Sequence, residues 1–261
     1  MQYVIGFLIA LFIALTGVGA GTITVPVLVL FLNVPAAVAV GIGLTFAAAV
    51  KAMLAPAQIA RGNVAWRTLG FMLLGGVPGV LLGSLLLRHL VTAGSENVLN
   101  AILGAILVGT ASWQILYSFR PMKAKRGRRD RSPLLAWLMF PVGAEVGFSS
   151  AGAGALGSAA LLSLTELAPA QVVGTDILFG FTVSLLGSGA HWLAGTANIA
   201  HAGNLELLLQ LTAGGVVGAF AGTLASRRVP RRPLRFALWV WLLILGGDFL
   251  LNSYQVWAAT H

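Results

Sequence analysis

Lys51 is a cation inside a long stretch of apolar sequence. It lies in the block 36–60, which carries no other charge, nine residues from the end of that block. Nine helical residues rise about 13 Å, farther than a lysine stem reaches towards water. A cation at that depth costs roughly 2.5–3.5 kcal/mol and needs a partner or a wet cavity. We expect Lys51 to line a path for an anion, and the alternative is a structural ion pair with Asp176 or Asp248.

Glycine-rich interruptions divide the two longest apolar blocks of the chain. Blocks 3–32 and 133–165 exceed the roughly 20 residues that one membrane helix needs. The interruptions fall at 17–22 and 147–154, where glycine and hydroxyl residues weaken a helix and free its backbone groups. Each block is therefore predicted to form two short helices.

The second helix of each broken block is predicted to begin at Thr22 and at Ala155. Unpaired N–H groups and the positive end of the helix dipole would then point towards the membrane centre and attract an anion. Alternatively, the hydroxyls there only satisfy the backbone freed by the break. The candidate binding residues are Gly19, Gly21, Thr22, Thr24, Ser149, Ser150, Gly152 and Gly154, together with Lys51.

Three acidic residues, Glu145, Asp176 and Asp248, lie at or near membrane depth and are candidates for proton coupling or ion pairing. His191 falls near a predicted outer helix end, where we expect it to be hydrated.

The composition predicts that lipid surrounds the chain. Hydrophobic residues make up 58% of the 261 residues, charged residues 9%, and the mean hydropathy is +0.92; a soluble domain is roughly a quarter charged. Twelve of the 16 basic residues lie in two stretches, 120–131 and 227–235, between apolar blocks, so the net charge of +9 does not indicate nucleic-acid binding. No cysteine and no soluble-enzyme motif are present. We expect no enzymatic activity, metal site or cofactor.

The chain contains an internal duplication. Gly19-Ala20-Gly21 recurs at 152–154, and segment 75–85 aligns without gaps with segment 214–224, sharing four glycines in register. Glycines four residues apart in these segments predict a stripe for close helix contact. The predicted division is a first repeat, 1–119, a basic linker, 120–132, and a second repeat, 133–261.

Loop charges predict the orientation of the repeats. Basic loops stay in the cytoplasm, which places 120–131 and 227–235 inside and both termini outside. Loop 88–96 falls outside, whereas its counterpart 227–235 falls inside, so the two halves are inverted. The predicted fold is an all-α polytopic membrane protein with two inverted repeats, each containing a glycine-broken helix pair and three spanning helices. Whether the broken blocks cross fully or are re-entrant stays open.

The sequence resembles the TauE/SafE family of sulfite exporters. The resemblance rests on the Gly19-Ala20-Gly21 turn followed by Thr24-Val25-Pro26-Val27-Leu28, on the helix start at 35–41, on 75–79, and on their second-half echoes. It covers nearly the whole chain, although Ala159 stands where Pro26 would repeat. The resemblance implies a prokaryotic inner-membrane permease for sulfite, sulfoacetate or related organosulfur anions.

These observations predict a secondary transporter, an exporter of a small sulfur-containing anion, that works by alternating access around a midplane site. Its partners would be the anion, the lipid bilayer and protons as the coupling ion, with no nucleic acid. The alternatives are a transporter of a cation or neutral solute that uses the intramembrane carboxylates, and a membrane-embedded enzyme.

Overall fold

The computed structural model describes most of the chain, and everything that follows concerns this part alone. Its residues are 1–16, 19–93, 96–118, 131–151, 154–195, 202–225 and 231–260. Within them the regular structure consists of ten α-helices, without a strand. This confirms the predicted all-α membrane fold.

Two short helices are followed by three long ones, and this order occurs twice along the chain. They are α1 (Gln2–Thr16), α2 (Ala20–Leu32), α3 (Ala36–Ala60), α4 (Trp66–Thr92), α5 (Glu96–Ser118), α6 (Leu134–Ser149), α7 (Ala155–Leu164), α8 (Pro169–Leu193), α9 (Ala202–Ala225) and α10 (Arg231–Thr260). In the described chain, α3, α4, α5, α8, α9 and α10 are long and apolar enough to cross a bilayer. Large apolar side chains also cover the outside of the bundle, for example Trp137 at 83% and Leu74 at 67% exposure. Only lipid can solvate such a surface.

Both long apolar blocks are broken at the glycine-rich interruptions; α7 begins at the predicted Ala155, whereas α2 begins at Ala20, two residues before the predicted Thr22. The first gives α1 and α2, and the second gives α6 and α7. The second pair is a hairpin that returns to its starting end, because Arg131 N, just before α6, donates to Leu164 O at the end of α7 at 3.1 Å. With 10 residues, α7 is about 15 Å long, half the thickness of a hydrocarbon core. Its N-terminus therefore lies near the middle of the bundle.

The loop after α3 lies at the same end of the bundle as the start of α8. Ala65 N donates to Thr175 Oγ1 at 3.0 Å, and a Cβ on Gly174 would collide with the carbonyl oxygen of Asn63. This end also holds the start of α6, because α7 returns there and leads directly into α8. The loop after α3 and the start of α6, which we expect on one side of the membrane, are thus at one end of the molecule.

The glycine stripe of α4 packs against α6. A Cβ on Gly75 would fall on the carbonyl oxygen of Ala136, and one on Gly79 would fall on that of Phe140. Residue numbers rise together on both helices, so α4 and α6 run parallel, and only glycine allows their backbones to approach this closely.

The matching stripe of α9 packs against α1 in the same way. A Cβ on Gly214 would fall on the carbonyl oxygen of Tyr3, and one on Gly218 would fall on that of Phe7. These four residues occupy the places in their repeats that Gly75, Ala136, Gly79 and Phe140 occupy in the other pairing. The duplication in the sequence is therefore a duplication of contacts.

The corresponding helices α3 and α8 pack against each other in opposite directions. Lys51, late in α3, contacts Gly180 of α8, whereas Thr45, earlier in α3, has its hydroxyl 2.6 Å from that of Ser188, later in α8. Helices α5 and α10 are also antiparallel, since Gly104 faces Phe249 and Gly246 faces the later residues of α5. Equivalent helices of two repeats run in opposite directions only when the axis that relates the repeats is perpendicular to the helices. The two repeats are therefore inverted relative to each other.

The two halves interlock. The broken pair of each half packs on the fourth helix of the other half, since α1 contacts α9 and α6 contacts α4. Most of the linker, which was predicted at 120–132, lies outside the described residues. The division into 1–119 and 133–261 stays a prediction about the chain, and in space the repeats share one core.

Candidate functional site

The two helix breaks meet at the centre of the bundle. A Cβ on Gly19, which precedes α2, would lie 3.1 Å from Gly154 N, which precedes α7. A Cβ on Gly21 would collide with the carbonyl oxygen of Ser150. Glycine is required at position 21, and a side chain at position 19 would need a small shift of the neighbouring backbone, because two half-helices approach each other there. The glycine turns that the sequence predicted are thus one site, formed by both repeats.

Ser150 ends α6 in a left-handed conformation, with φ at 61°. This backbone caps the helix, because Ser150 N donates to Val146 O at 2.8 Å. The residue is 4% exposed, and its hydroxyl has no hydrogen-bond partner among the described residues. It faces α3, since a Cβ on Gly43 would lie 3.1 Å from Ser150 Oγ.

Thr22, in the first turn of α2, carries a second hydroxyl of this kind. Its side chain is 2% exposed, and no partner for Oγ1 exists within the described chain. The hydroxyl lies beside the break, with Oγ1 3.4 Å from the position of a Cβ on Gly19. Neither α2 nor α7 has a side-chain cap at its N-terminus, and the residues that precede the two helices, Gly19 and Gly154, are adjacent.

This central site has the chemistry to bind an oxyanion. Two buried hydroxyls, Thr22 and Ser150, stand beside the positive ends of two helix dipoles. Burying an unpaired hydroxyl costs about 1–3 kcal/mol, a loss that a bound acceptor recovers.

The other candidate binding residues of the two glycine turns are Ser149, Thr24 and Gly152, and none of them offers a hydroxyl as Thr22 and Ser150 do. Ser149 supports the backbone, because its hydroxyl donates to Glu145 O at 2.8 Å and accepts from Ala151 N at 3.2 Å. Thr24 is fully buried in α2. Gly152 lies outside the described residues. For Ser149, the geometry matches the alternative in which hydroxyls satisfy the freed backbone.

Lys51 is brought together with Asp176. Both side chains are 8% exposed, and Asp176 acts electrostatically on Lys51 across the interface of α3 and α8. The same carboxylate accepts from Ser158 Oγ of α7 at 2.9 Å. Lys51 lies eight residues beyond Gly43, about 12 Å along α3. The ammonium-bearing Lys51 therefore lies away from the central site along α3, whereas Asp176 reaches the first turn of α7, where a Cβ on Gly157 would collide with its Oδ1.

Asp248 does not belong to this region. It is exposed on α10, and its carboxylate accepts from Asn252 Nδ2 at 3.4 Å on the same helix. The predicted alternative in which Asp248 pairs with Lys51 is wrong. The sequence placed Asp248 within a long apolar helix but could not establish the direction of its side chain, because an apolar helix in lipid has no polar face to orient it.

His191 is the polar residue that the sequence analysis misjudged. We expected it to be hydrated, but it is fully buried, with Nε2 2.8 Å from the carbonyl oxygen of Gly147 in the last turns of α6. A signal was available on α8, where the small polar residues Ser184 and Ser188 recur four residues apart. Both are buried, and His191 continues that face by one turn.

Comparisons with known proteins agree on a class. The family profile described as "Sulfite exporter TauE/SafE" matches residues 3–249. The chain is similar to "Probable membrane transporter protein YjnA" of Bacillus subtilis (strain 168), with 27% identity over 195 residues, which cover 70% of this chain and 73% of that protein. No solved structure matches the chain.

Proposed function

Because the chain belongs to the TauE/SafE sulfite exporter family, we propose that this membrane transporter is a secondary exporter of a small sulfur-containing anion, such as sulfite or an organosulfonate. The central site would hold the anion, and transport would involve no chemical conversion of the solute.

The observation that carries the proposal is the meeting of the two breaks at Gly19 and Gly154. It places the hydroxyls of Thr22 and Ser150 beside two helix N-termini, both buried and both without partners in the described chain. Positive dipole ends attract an oxyanion and disfavour a cation, and the hydroxyls can donate hydrogen bonds to the oxyanion, so this geometry favours the anion over the predicted cation alternative.

Inverted repeats that meet at a central site suit alternating access. The site lies between the repeats, so rocking one half against the other would open it to either side of the membrane. The contact of Gly75 with Ala136 and the contact of Gly214 with Tyr3 are related by the symmetry of the repeats. In such a movement, the change at one contact in the inward-open form would occur at the other contact in the outward-open form. We place the protein in the cytoplasmic membrane, with 120–131 and 227–235 inside and both termini outside.

The test removes the two hydroxyls one at a time. Thr22→Val keeps the shape of the side chain, and Ser150→Gly removes Oγ while suiting the positive φ of this position. Each change should weaken anion binding about tenfold or more, because hydrogen bonds to charged groups contribute roughly 1.5–3 kcal/mol. Without anion, the melting temperature of each variant should equal or exceed that of the unaltered protein. The measurement is the anion-dependent rise in melting temperature of purified protein, with sulfite, thiosulfate, sulfoacetate, sulfate, phosphate and divalent cations as the panel.

Thr182→Val is the matched control, because the hydroxyl of Thr182 only donates to Leu178 O of its own helix, at 3.0 Å. This variant should bind the best anion as the unaltered protein does. If Thr22→Val and Ser150→Gly both kept full anion affinity, the central site would lose its assignment. A response to divalent cations alone would contradict an anionic substrate.

A further inference from the structure

A cavity that opens at the surface of the bundle lies beside the central site and contains an acidic residue. About 440 Å³ of space lies between α4, α5 and α6. Its wall is apolar except for Glu145 of α6 and Thr110 of α5, and the hydroxyl of Thr110 donates to Ile106 O of its own helix at 2.6 Å. Glu145 is therefore the group whose charge state decides the character of this cavity.

The carboxylate of Glu145 differs from the other two candidate acids. Its Oε1 atom is buried and finds no hydrogen-bond partner in the described parts of the chain. By contrast, Asp176 accepts from Ser158 and interacts with Lys51, and Asp248 is exposed. An ionised carboxylate without a cation is strongly disfavoured in such surroundings, whereas a protonated one is neutral.

Glu145 is also connected to the central site. Its carbonyl oxygen accepts from Ser149 Oγ, which accepts in turn from Ala151 N, and Ser150 lies between these two residues. Five residues separate Glu145 from Ser150, a rise of about 7.5 Å along the helix. A charge on Glu145 and an anion at Ser150 would be on the order of 10 Å apart. At an effective dielectric of about 20, this repulsion changes affinity by more than tenfold.

We propose that Glu145 is the proton-binding residue of the transporter and that its protonation is coupled to occupation of the central site by the anion. This inference rests on the proposed function. The proton comes from bulk water, converts the carboxylate to the neutral acid, and returns to water when the anion leaves. Since the negative charge and the anion oppose each other, protonation of Glu145 and anion binding at the central site favour each other.

The other ionisable groups on the helices around α6 lie elsewhere. On α4, Arg67 belongs to the opposite end, and Arg88 and His89 are exposed beyond the cavity; on α5, Glu96 is at the first residue. Helices α2 and α7 have none. On α8, His191 is bound to Gly147 O, and Asp176 is bound to Ser158.

The first experiment needs no anion. The melting temperature is measured from about pH 5 to about pH 8 for the unaltered protein, for Glu145→Gln and for Asp248→Asn as the exposed-acid control. The folded state favours the protonated acid, while the unfolded chain ionises near pH 4.3. The folded state thus binds more protons, and its stability falls as pH rises. In Glu145→Gln the melting temperature should fall less as pH rises, because the contribution of Glu145 is absent. In Asp248→Asn it should fall as in the unaltered protein. Identical pH profiles for the unaltered protein and Glu145→Gln would overturn the proton site.

The second experiment uses thiosulfate, whose charge does not change over this range. Its dissociation constant should rise severalfold between about pH 6 and about pH 9 in the unaltered protein, as Glu145 ionises. Glu145→Gln should bind it equally well at both values. If the unaltered protein bound thiosulfate independently of pH, the coupling would be overturned and the proposed function would stand. If no panel anion bound at any pH, the proposed function and the coupling would both fall, while the first experiment would still decide whether Glu145 binds a proton.

Discussion

Lys51 and Asp176 form a buried pair whose members depend on each other. Both lie deep in the interface of α3 and α8, where removing one charge leaves the other without compensation. The third member, Ser158, attaches the pair to α7. A change to either charge would therefore alter the hydrogen bond to α7, the half-helix that forms one side of the central site.

Lys51→Met should lower the stability of the folded protein. The substitution keeps the volume of the stem but strands the carboxylate of Asp176, which should cost roughly 3–5 kcal/mol. Adding Asp176→Asn should restore most of the loss, because both charges are then absent. The measurement is the melting temperature and the yield of monodisperse protein for the single and double variants. A Lys51→Met protein as stable as the unaltered one would show that the pair does not hold the fold together.

At this scale the sequence supplied candidate residues but did not determine their partners. The depth of Lys51 followed from counting residues, and Asp176 was one of two candidate partners. Choosing between Asp176 and Asp248 requires the rotation of each helix, which an apolar sequence does not encode. The unpartnered state of the Thr22 and Ser150 hydroxyls was equally beyond reach, because it depends on how two breaks from different repeats meet.

The glycine stripes matter at the scale of the helices. They bring α4 onto α6 and α9 onto α1 through direct backbone contact, the kind of packing that holds helices together where lipid removes the hydrophobic drive. The stripes and the breaks were predictable, since both are patterns of residue type. Which helix each stripe meets was not, because the partner comes from the other repeat.

Gly79→Ala and Gly70→Ala should have opposite effects on one helix. A Cβ on Gly79 would collide with Phe140 O and lie 2.9 Å from Ala144 N, whereas within the described chain nothing lies within 4 Å of a Cβ on Gly70. Gly79→Ala should therefore destabilise the protein by about 1–3 kcal/mol. Gly70→Ala should be neutral or stabilise by about 0.5–1 kcal/mol, because alanine favours the helix.

Thermal unfolding in detergent measures both effects, and Gly218→Ala, which meets Phe7 O, should reproduce the loss seen for Gly79→Ala. A stable Gly79→Ala protein would mean that α4 and α6 can separate without harm.

On the scale of the whole molecule, the repeats are inverted and share one core. Inversion was predictable from the placement of basic loops relative to the duplication. The interlocking of the halves and the return of α7 beside the start of α6 are properties of three-dimensional packing that no local pattern specifies.

Single cysteines at the two ends of α4 should reveal the sidedness of the molecule. The chain has no native cysteine, and Ala60 and Ala93 are both exposed, on either side of this helix. In intact cells an impermeant thiol reagent should label Ala93→Cys, and it should label Ala60→Cys only after permeabilisation, because the basic loop after α3 stays inside. The reverse pattern would show that the protein has the opposite orientation in the membrane. Labelling of both cysteines in intact cells would contradict α4 as a spanning helix.

The ionisable groups at the centre of this molecule belong to one copy of each repeated position. Lys51 matches Ser184, Asp176 matches Gly43, and Glu145 matches Phe12. Two identical inverted halves would make the inward-open and outward-open forms degenerate in free energy, since exchanging the halves converts one into the other. Charges present in only one copy lift that degeneracy. Under the proposed mechanism the empty protein would therefore spend most of its time open to one side of the membrane, although its scaffold is duplicated.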